Sequence, residues 1–306
     1  MGDWTPRDQR FSELGLRLIS AIVLIPVAVG MVWAGSWWLA IGCAVFAGAM
    51  ALEWSQISAY PHGRAMALAT AAFCVTLPLG MLWLSTLIIV AGLAFCAMTA
   101  VGGLRVRWTA AFGLFYVTAM ASSLFFLREG PWDGRAAALF FMSFVWVSDA
   151  AAYFTGRGIG GPRLLPSESP NKTWSGALGA VTACALCGLA GADIEMASFP
   201  VWIATGIAIS VVAQCGDLFE SGLKRRFKVK DAGNLLPGHG GVLDRVDGLG
   251  AVGIFAGPVL HSGPFRRARV LSHDRSSYLD HGLHRFHWHV CTRCRRAGQC
   301  GGGHAI

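Results

Sequence analysis

The segment from Gly216 to Gly248 reads GDLFESGLKRRFKVKDAGNLLPGHGGVLDRVDG. Read as a helix at its start, it places Asp217, Ser221 and Lys224 at i, i+4 and i+7, on one face. The cations Lys224, Arg225, Arg226, Lys228 and Lys230 follow at once. Pro237-Gly238-His239-Gly240-Gly241 cannot continue a helix, and its glycines let main-chain N–H groups approach an anion. Asp244 and Asp247, at i and i+3 with Arg245 between them, open the next apolar run. Two carboxylate clusters framing a run of cations and a glycine turn are what phosphoryl or nucleotidyl transfer requires. Asp holds Mg²⁺ against phosphate oxygens, while Lys and Arg neutralise the charge that develops. A basic patch resting on lipid headgroups would account for the Lys and Arg. It would leave Asp217, Asp244, Asp247 and the His-Gly-Gly turn without a purpose.

Asp149 is the second informative residue. It lies in VWVSDAAAYF, near the end of an otherwise uncharged apolar stretch. An ionisable group there marks a functional site by default, the alternative being a carboxylate that caps a neighbouring helix. The polar segment that follows ends in SPNKTWSG. Ser169-Pro170 breaks the chain, and Lys172-Thr173 stand just before the next helix, where a phosphate would meet free N–H groups, a lysine and a hydroxyl. Glu53 and Glu129 border apolar stretches and call for no special reading.

The elements that must position these residues follow from composition. Of 306 residues, 54% are hydrophobic and 14% charged, and the mean hydropathy is +0.52. Soluble domains carry roughly a quarter charged residues, so a water-soluble enzyme is excluded, as is a disordered or collagen-like chain. Apolar stretches near 16–34, 37–53, 65–83, 85–103, 109–127, 136–154, 174–192 and 199–219, with a shorter one at 246–260, predict an all-α polytopic membrane protein of about 8–9 transmembrane helices. The uncharged 65–103 stretch can turn only at Pro78, Gly80 and Ser85. With the N-terminus in the cytoplasm, alternation puts fifteen Lys and Arg inside and only Arg128 and Arg135 outside. That asymmetry sets the orientation. It also makes 155–173 and 220–245 two long cytoplasmic catalytic loops, and all four lysines lie between 172 and 230.

The expected organisation is N-terminal transmembrane helices over 1–135, a C-terminal transmembrane catalytic region over 136–260, and a basic His/Cys-rich tail over 261–306. The tail explains the net charge. Residues 1–260 hold 17 Lys and Arg against 15 Asp and Glu, whereas 261–306 hold 8 Arg against 2 Asp and seven of the nine His. Apolar periodicity stops near Leu260, and the tail reads as disordered or out of frame. Its alternative is a zinc site at Cys291, Cys294, Cys300 and His304. Cys184 and Cys187 form a C-x-x-C inside an apolar helix, where small packing residues are the plain reading.

The run Ser221-x-Leu223-Lys224-Arg225-x4-Lys230-Asp231-x-Gly233-x2-Leu236-Pro237-x-His239-Gly240-Gly241-Val242-x-Asp244-Arg245-Val246-Asp247 resembles the signature of the phosphatidate cytidylyltransferase (CDP-diacylglycerol synthase) family, at all seventeen specified positions over 27 residues. Ser148-Asp149 with Ala152-Tyr153-Phe154 and Gly156-Arg157, and Ser169-Pro170-Asn171-Lys172-Thr173-Trp174, resemble two further family segments in the same order. Ser175 stands where the family usually has Glu.

The resemblance implies a bacterial inner-membrane enzyme that transfers CMP from CTP to phosphatidate, with Mg²⁺, a candidate second ion such as K⁺, and a homodimeric assembly. No nucleic-acid partner is expected. Carried over residue by residue, Asp217 and Asp244 are the metal ligands, with Asp149 and Asp247 as further ligands or support for them. Lys172, Lys224 and Arg225 bind phosphate, Thr173, Ser221, Lys230, Gly240, Gly241 and Arg245 complete the substrate site, and His239 orients or protonates, or simply satisfies loop backbone. A polytopic transporter would predict internal repeats, which the sequence lacks, and a lipid or polyprenol kinase is disfavoured by the signature.

Overall fold

The computed structural model describes residues 22–99, 103–130, 134–190, 199–229, 232–233 and 240–261. Lys230, His239, the arginines before Ile22 and the tail after His261 lie outside the described residues, and so do the zinc alternative and the expectation of disorder there.

Each apolar stretch expected from the sequence corresponds to a helix. Among the described residues these are α1 (Ile22–Ala34), α2 (Ser36–Ile57), α3 (Gly63–Thr76), α4 (Leu82–Thr99), α5 (Leu104–Arg128), α6 (Gly134–Ile159), α7 (Trp174–Ala190), α8 (Phe199–Arg226) and α9 (Leu243–His261). Four of them, α2, α5, α6 and α8, are long and apolar enough to cross a membrane, and α1, α3, α4 and α7 are shorter apolar helices. The uncharged 65–103 stretch turns where its sequence permits. A 3₁₀ turn at Leu77–Leu79 contains Pro78, and Gly80 takes φ 64°. A Thr76 to Ser85 hydroxyl contact of 2.8 Å closes the corner.

Two elements depart from the sequence reading. The 155–173 segment is not all loop: α6 continues to Ile159, and a two-stranded antiparallel hairpin follows, β1 (Arg163–Leu165) and β2 (Ser169–Thr173). Arg163 stands opposite Thr173 and Leu165 opposite Ser169. Strands of three and five residues carry too little apolar alternation to announce themselves. The final apolar stretch is also longer than expected at its polar end, since α9 begins at Leu243 and so includes Asp244 and Asp247 in its first turns.

Helices α2 to α5 pack on one another, α6, α7 and α8 form a second group, and α9 lies between the groups against α5, α6 and α8. Small residues allow the close approaches, as expected where helices cannot gain much by hiding apolar surface from lipid. A Cβ at Gly206 of α8 would stand 2.3 Å from the Cys184 carbonyl of α7. Cys184 is buried with its thiol donating to the Phe144 carbonyl at 3.5 Å, a packing role. In the N-terminal group the anchor is Trp54. Its indole Nε1 donates to the Thr109 carbonyl at 3.0 Å, and its rings meet Phe112, Tyr116 and Phe227 with centroids 5.7, 5.8 and 5.7 Å away. The indole fits only because residue 113 is glycine, where a Cβ would lie 1.8 Å from Nε1. Outward-facing Trp37, Trp38, Leu68, Trp83, Met98 and Trp108 leave large apolar side chains uncovered, the surface a bilayer accepts.

Both glutamates set aside in the sequence analysis turn out to be structural. Glu129 Oε1 accepts the Ser36 N–H at 2.8 Å and so caps α2 from the end of α5. Glu53 is buried within α2 and reaches the start of α9. Their partners are 93 and 189 residues away in sequence, which is why local reading assigns them nothing.

Candidate active site

Helix α8 carries the site's polar ladder because its periodicity persists past the apolar stretch. Asp217 and Ser221 share a face as expected, with the Ser221 hydroxyl 3.5 Å from Asp217 Oδ1. One further turn on is Lys224. The helix ends just afterwards, where Lys228 takes φ 60° and the Lys228 and Val229 N–H groups close on the Arg225 and Lys224 carbonyls at 3.0 Å each.

Lys224 is the centre of a buried ion cluster. Its Nζ is 2.9 Å from Asp244 Oδ1 and 3.2 Å from Glu220 Oε1, and Glu220 is 1% exposed. Asp244 also accepts the N–H groups of Ala232 at 3.1 Å and Gly241 at 3.3 Å. Burial by itself would push the Asp244 carboxyl up, but the hydrogen bond and charge of Lys224, with the backbone donors, hold it below the usual carboxylate value. Glu220 is a residue that the sequence analysis did not single out. The available signal was its i, i+4 spacing to Lys224.

The hairpin delivers a second cation from the opposite side. Lys172, on β2, sets its Nζ 2.5 Å from Asp217 Oδ2. Thr173 is buried and caps α7, its hydroxyl accepting the Gly176 N–H at 3.2 Å. Ser175, where the resembling family has Glu, donates to the Gly160 carbonyl and contacts the Thr173 hydroxyl at 3.0 Å, which joins the cap to the end of α6.

These groups face one cavity of about 910 Å³, within the range of about 300–1,000 Å³ usual for ligand sites. Asp149 from α6, Lys172 and Thr173 from the hairpin, Asp217 and Lys224 from α8, and Asp244, Arg245 and Asp247 from α9 all line it. Four of the sequence-derived candidates are placed elsewhere. Ser221 reaches the site only through Asp217, and Arg225 donates to the Glu168 carbonyl at 3.2 Å, bracing the hairpin turn. Gly240 and Gly241 do not line the cavity. Gly240 supplies φ 81°, and the Gly241 N–H points to Asp244. The Gly241 amide of the glycine turn therefore meets a carboxylate of the protein itself. Conversely, the structure adds Arg157, Arg163, Asn171 and Gln214 to the lining. Arg157 was legible as part of a family-like segment, whereas Arg163 enters only through the hairpin.

The cavity wall carries four carboxylates and five cations, Arg157, Arg163, Lys172, Lys224 and Arg245. That near balance leaves little excess positive charge for a polyanionic substrate. Asp149, Asp217 and Asp247 present hard oxygen donors to the same space. Among the described residues no three His, Cys, Asp or Glu side chains surround a common point. Such a donor set fits an ion like Mg²⁺, which keeps water and takes phosphate oxygens, better than one needing an all-protein cage.

A model of the cytidylyltransferase family matches residues 15–262, so the match stops at the composition break before the tail. Phosphatidate cytidylyltransferase of Brucella suis biovar 1 (strain 1330) is 41% identical over 278 residues, covering 83% of this chain and 98% of that protein. The protein of the same name from Brucella abortus biovar 1 (strain 9-941) is 41% identical over 254 residues, with 78% of this chain and 90% of its own length covered. That of Staphylococcus aureus (strain COL) is 40% identical over 140 residues, 45% of this chain and 54% of its own. With a family match over most of its length and the charged cavity assembled from the matched region, the chain belongs to the cytidylyltransferase family.

Proposed function

We propose that this chain transfers CMP from CTP to phosphatidate, giving CDP-diacylglycerol and pyrophosphate. The observation that carries the reading is the single cavity in which α6, the hairpin, α8 and α9 oppose carboxylates and cations beside an apolar helix bundle. A lipid phosphate is already an anion and needs no strong general base to attack the α-phosphorus of CTP. One P–O bond forms to the lipid phosphate as the bond to the pyrophosphate oxygen breaks. The work left to the protein is to screen two polyanions from each other, align them and receive the charge on the leaving group. Lys172 on the hairpin and Arg245 on α9 stand on different elements around the cavity, so they can hold phosphates of the two substrates in register. Lys224, tied to Asp244 and Glu220, is a fixed charge.

Asp217, Asp149 and Asp247 would hold Mg²⁺, and Asp244 can join them only by releasing Lys224. Bound there, the ion would supply the positive charge that the nearly balanced wall lacks. K⁺ as a second ion, a homodimer, and roles for Lys230 and His239 in substrate handling belong to the same proposal. So does an inner-membrane location, with the helices making eight or nine spans and the N-terminus and both catalytic segments in the cytoplasm.

The test is incorporation of labelled CTP into lipid by membranes holding the chain. Label at the α-phosphate should enter lipid only with phosphatidate and Mg²⁺ present, and label at the γ-phosphate should not enter at all. Incorporation of the γ label would replace the reading with a lipid kinase. For orientation, Lys230→Cys in intact cells should resist a membrane-impermeant thiol reagent and label after the cells are opened. Efficient labelling from outside would invert the topology.

A further inference from the structure

We propose that Glu53, in the N-terminal helical group, is a positioning residue for the catalytic face of α9. Its carboxylate takes two consecutive amides at the start of that helix. The Val242 N–H donates to Oε1 and the Leu243 N–H to Oε2, both at 2.9 Å, across 189 and 190 residues of chain. Glu53 is 1% exposed. Helix starts leave their first N–H groups without partners inside the helix, and a carboxylate there also answers the positive end of the helix dipole.

The amides around this turn are shared between two carboxylates. Glu53 takes Val242 and Leu243, and Asp244 takes Ala232 and Gly241. The backbone closes tightly around Glu53. A Cβ at Gly233 would stand 2.7 Å from its Oε1, and one at Gly241 would stand 2.9 Å from its Oε2. Glycine at 233 and 241 is therefore required by the approach of a carboxylate from α2. Asp244, Arg245 and Asp247 leave α9 within two turns of that grip, and all three line the cavity. Without Glu53, two buried amides lose their acceptor, and the start of α9 would shift towards the remaining one, Asp244. That would loosen Asp244 from Lys224 and move Asp247 relative to Asp217. A displacement near 1 Å at reacting groups can cost about 100-fold in rate.

This role rests on the cytidylyl-transfer reading, and the test separates the two. In the full-length chain in detergent, Glu53→Gln keeps the shape but offers one acceptor where two donors point. Its kcat should fall at least ~10-fold, and half-maximal activity should need several-fold more Mg²⁺, since Asp247 rides on α9. Hydrogen exchange of peptides covering 240–250 should accelerate, whereas peptides of α7 should not change. Gly241→Ala, which leaves the carboxylate intact but crowds it, should show the same pattern more weakly. Glu129→Ala, a cap lost at α2 instead, should leave kcat and Mg²⁺ demand unchanged. Folded Glu53→Gln protein with the unsubstituted chain's kcat, Mg²⁺ demand and exchange would overturn the proposal. So would variants that only lower the yield of folded protein, with unchanged kinetics in the fraction recovered. No turnover by the unsubstituted chain would refute the catalytic reading instead, and the exchange of 240–250 would still judge the grip.

Discussion

Asp217→Asn should leave the chain inserted and folded, and should lower CMP transfer by roughly 10³-fold or more, the scale of losing a charged group that organises transferring phosphates. Three observations set the expectation apart from a general loss of structure. The Asp217 side chain is 40% exposed to the cavity, so its charge is not needed to satisfy buried donors of the bundle. Its partners, Lys172 and Ser221, are themselves cavity-facing or adjacent, so loss of the anion changes the site before it changes the packing. Asn keeps the volume and can still accept from Lys172, which leaves the missing negative charge as the main difference. Initial rates in mixed micelles, with size-exclusion profiles of both proteins, check this. Near-normal rates would remove Asp217 from the proposed metal site.

Lys224→Met should act the other way, through folding first. Its ammonium faces the Glu220 carboxyl, 1% exposed, and the Asp244 carboxylate, 11% exposed, and no other cation is seen against Glu220 among the described ion pairs. Removing one partner from a buried ion cluster typically costs about 3–5 kcal/mol, because the remaining charges stay desolvated without compensation. The expected result is a large fall in melting temperature in detergent and in the amount of inserted protein. Adding Glu220→Gln should restore part of the stability, since the buried Asp244 then faces an amide that can donate to it and no second carboxyl. It should not restore activity, because the cavity has still lost a fixed cation. Wild-type stability in Lys224→Met alone would mean that the cluster is not held by charge.

Much of this molecule was readable without coordinates, and the reason is locality. Whether a stretch of about 20 residues prefers lipid depends on the stretch itself, so every helix appeared where apolar length and turn residues placed it, down to the corner at Pro78 and Gly80. The alignment of Asp217, Ser221 and Lys224 followed from the 3.6-residue period alone. The motif-bearing residues Asp149, Lys172, Asp217, Asp244 and Asp247, which line one cavity, were likewise legible, because each is a charged residue standing in or beside an apolar stretch.

What remained hidden depended on which helices become neighbours. Glu53 and Val242 are 189 residues apart, and nothing near either one announces the other. The glycine turn looked like a cradle for substrate phosphate, yet its Gly241 amide is taken by Asp244, and the next two amides, of Val242 and Leu243, by Glu53. Asp244 looked like a free ligand and is engaged by Lys224 and two N–H groups. Arg225 looked like a phosphate binder and braces the hairpin, while Arg163 enters the cavity through strands too short to show a period. The amino-acid sequence by itself determined a membrane-type helical bundle and the residue types of a phosphate-handling site. Only the tertiary structure decided which carboxylates are spent on holding backbone and cations and which still face the cavity, because a hydrogen-bond acceptor's free capacity depends on every donor that packing brings to it.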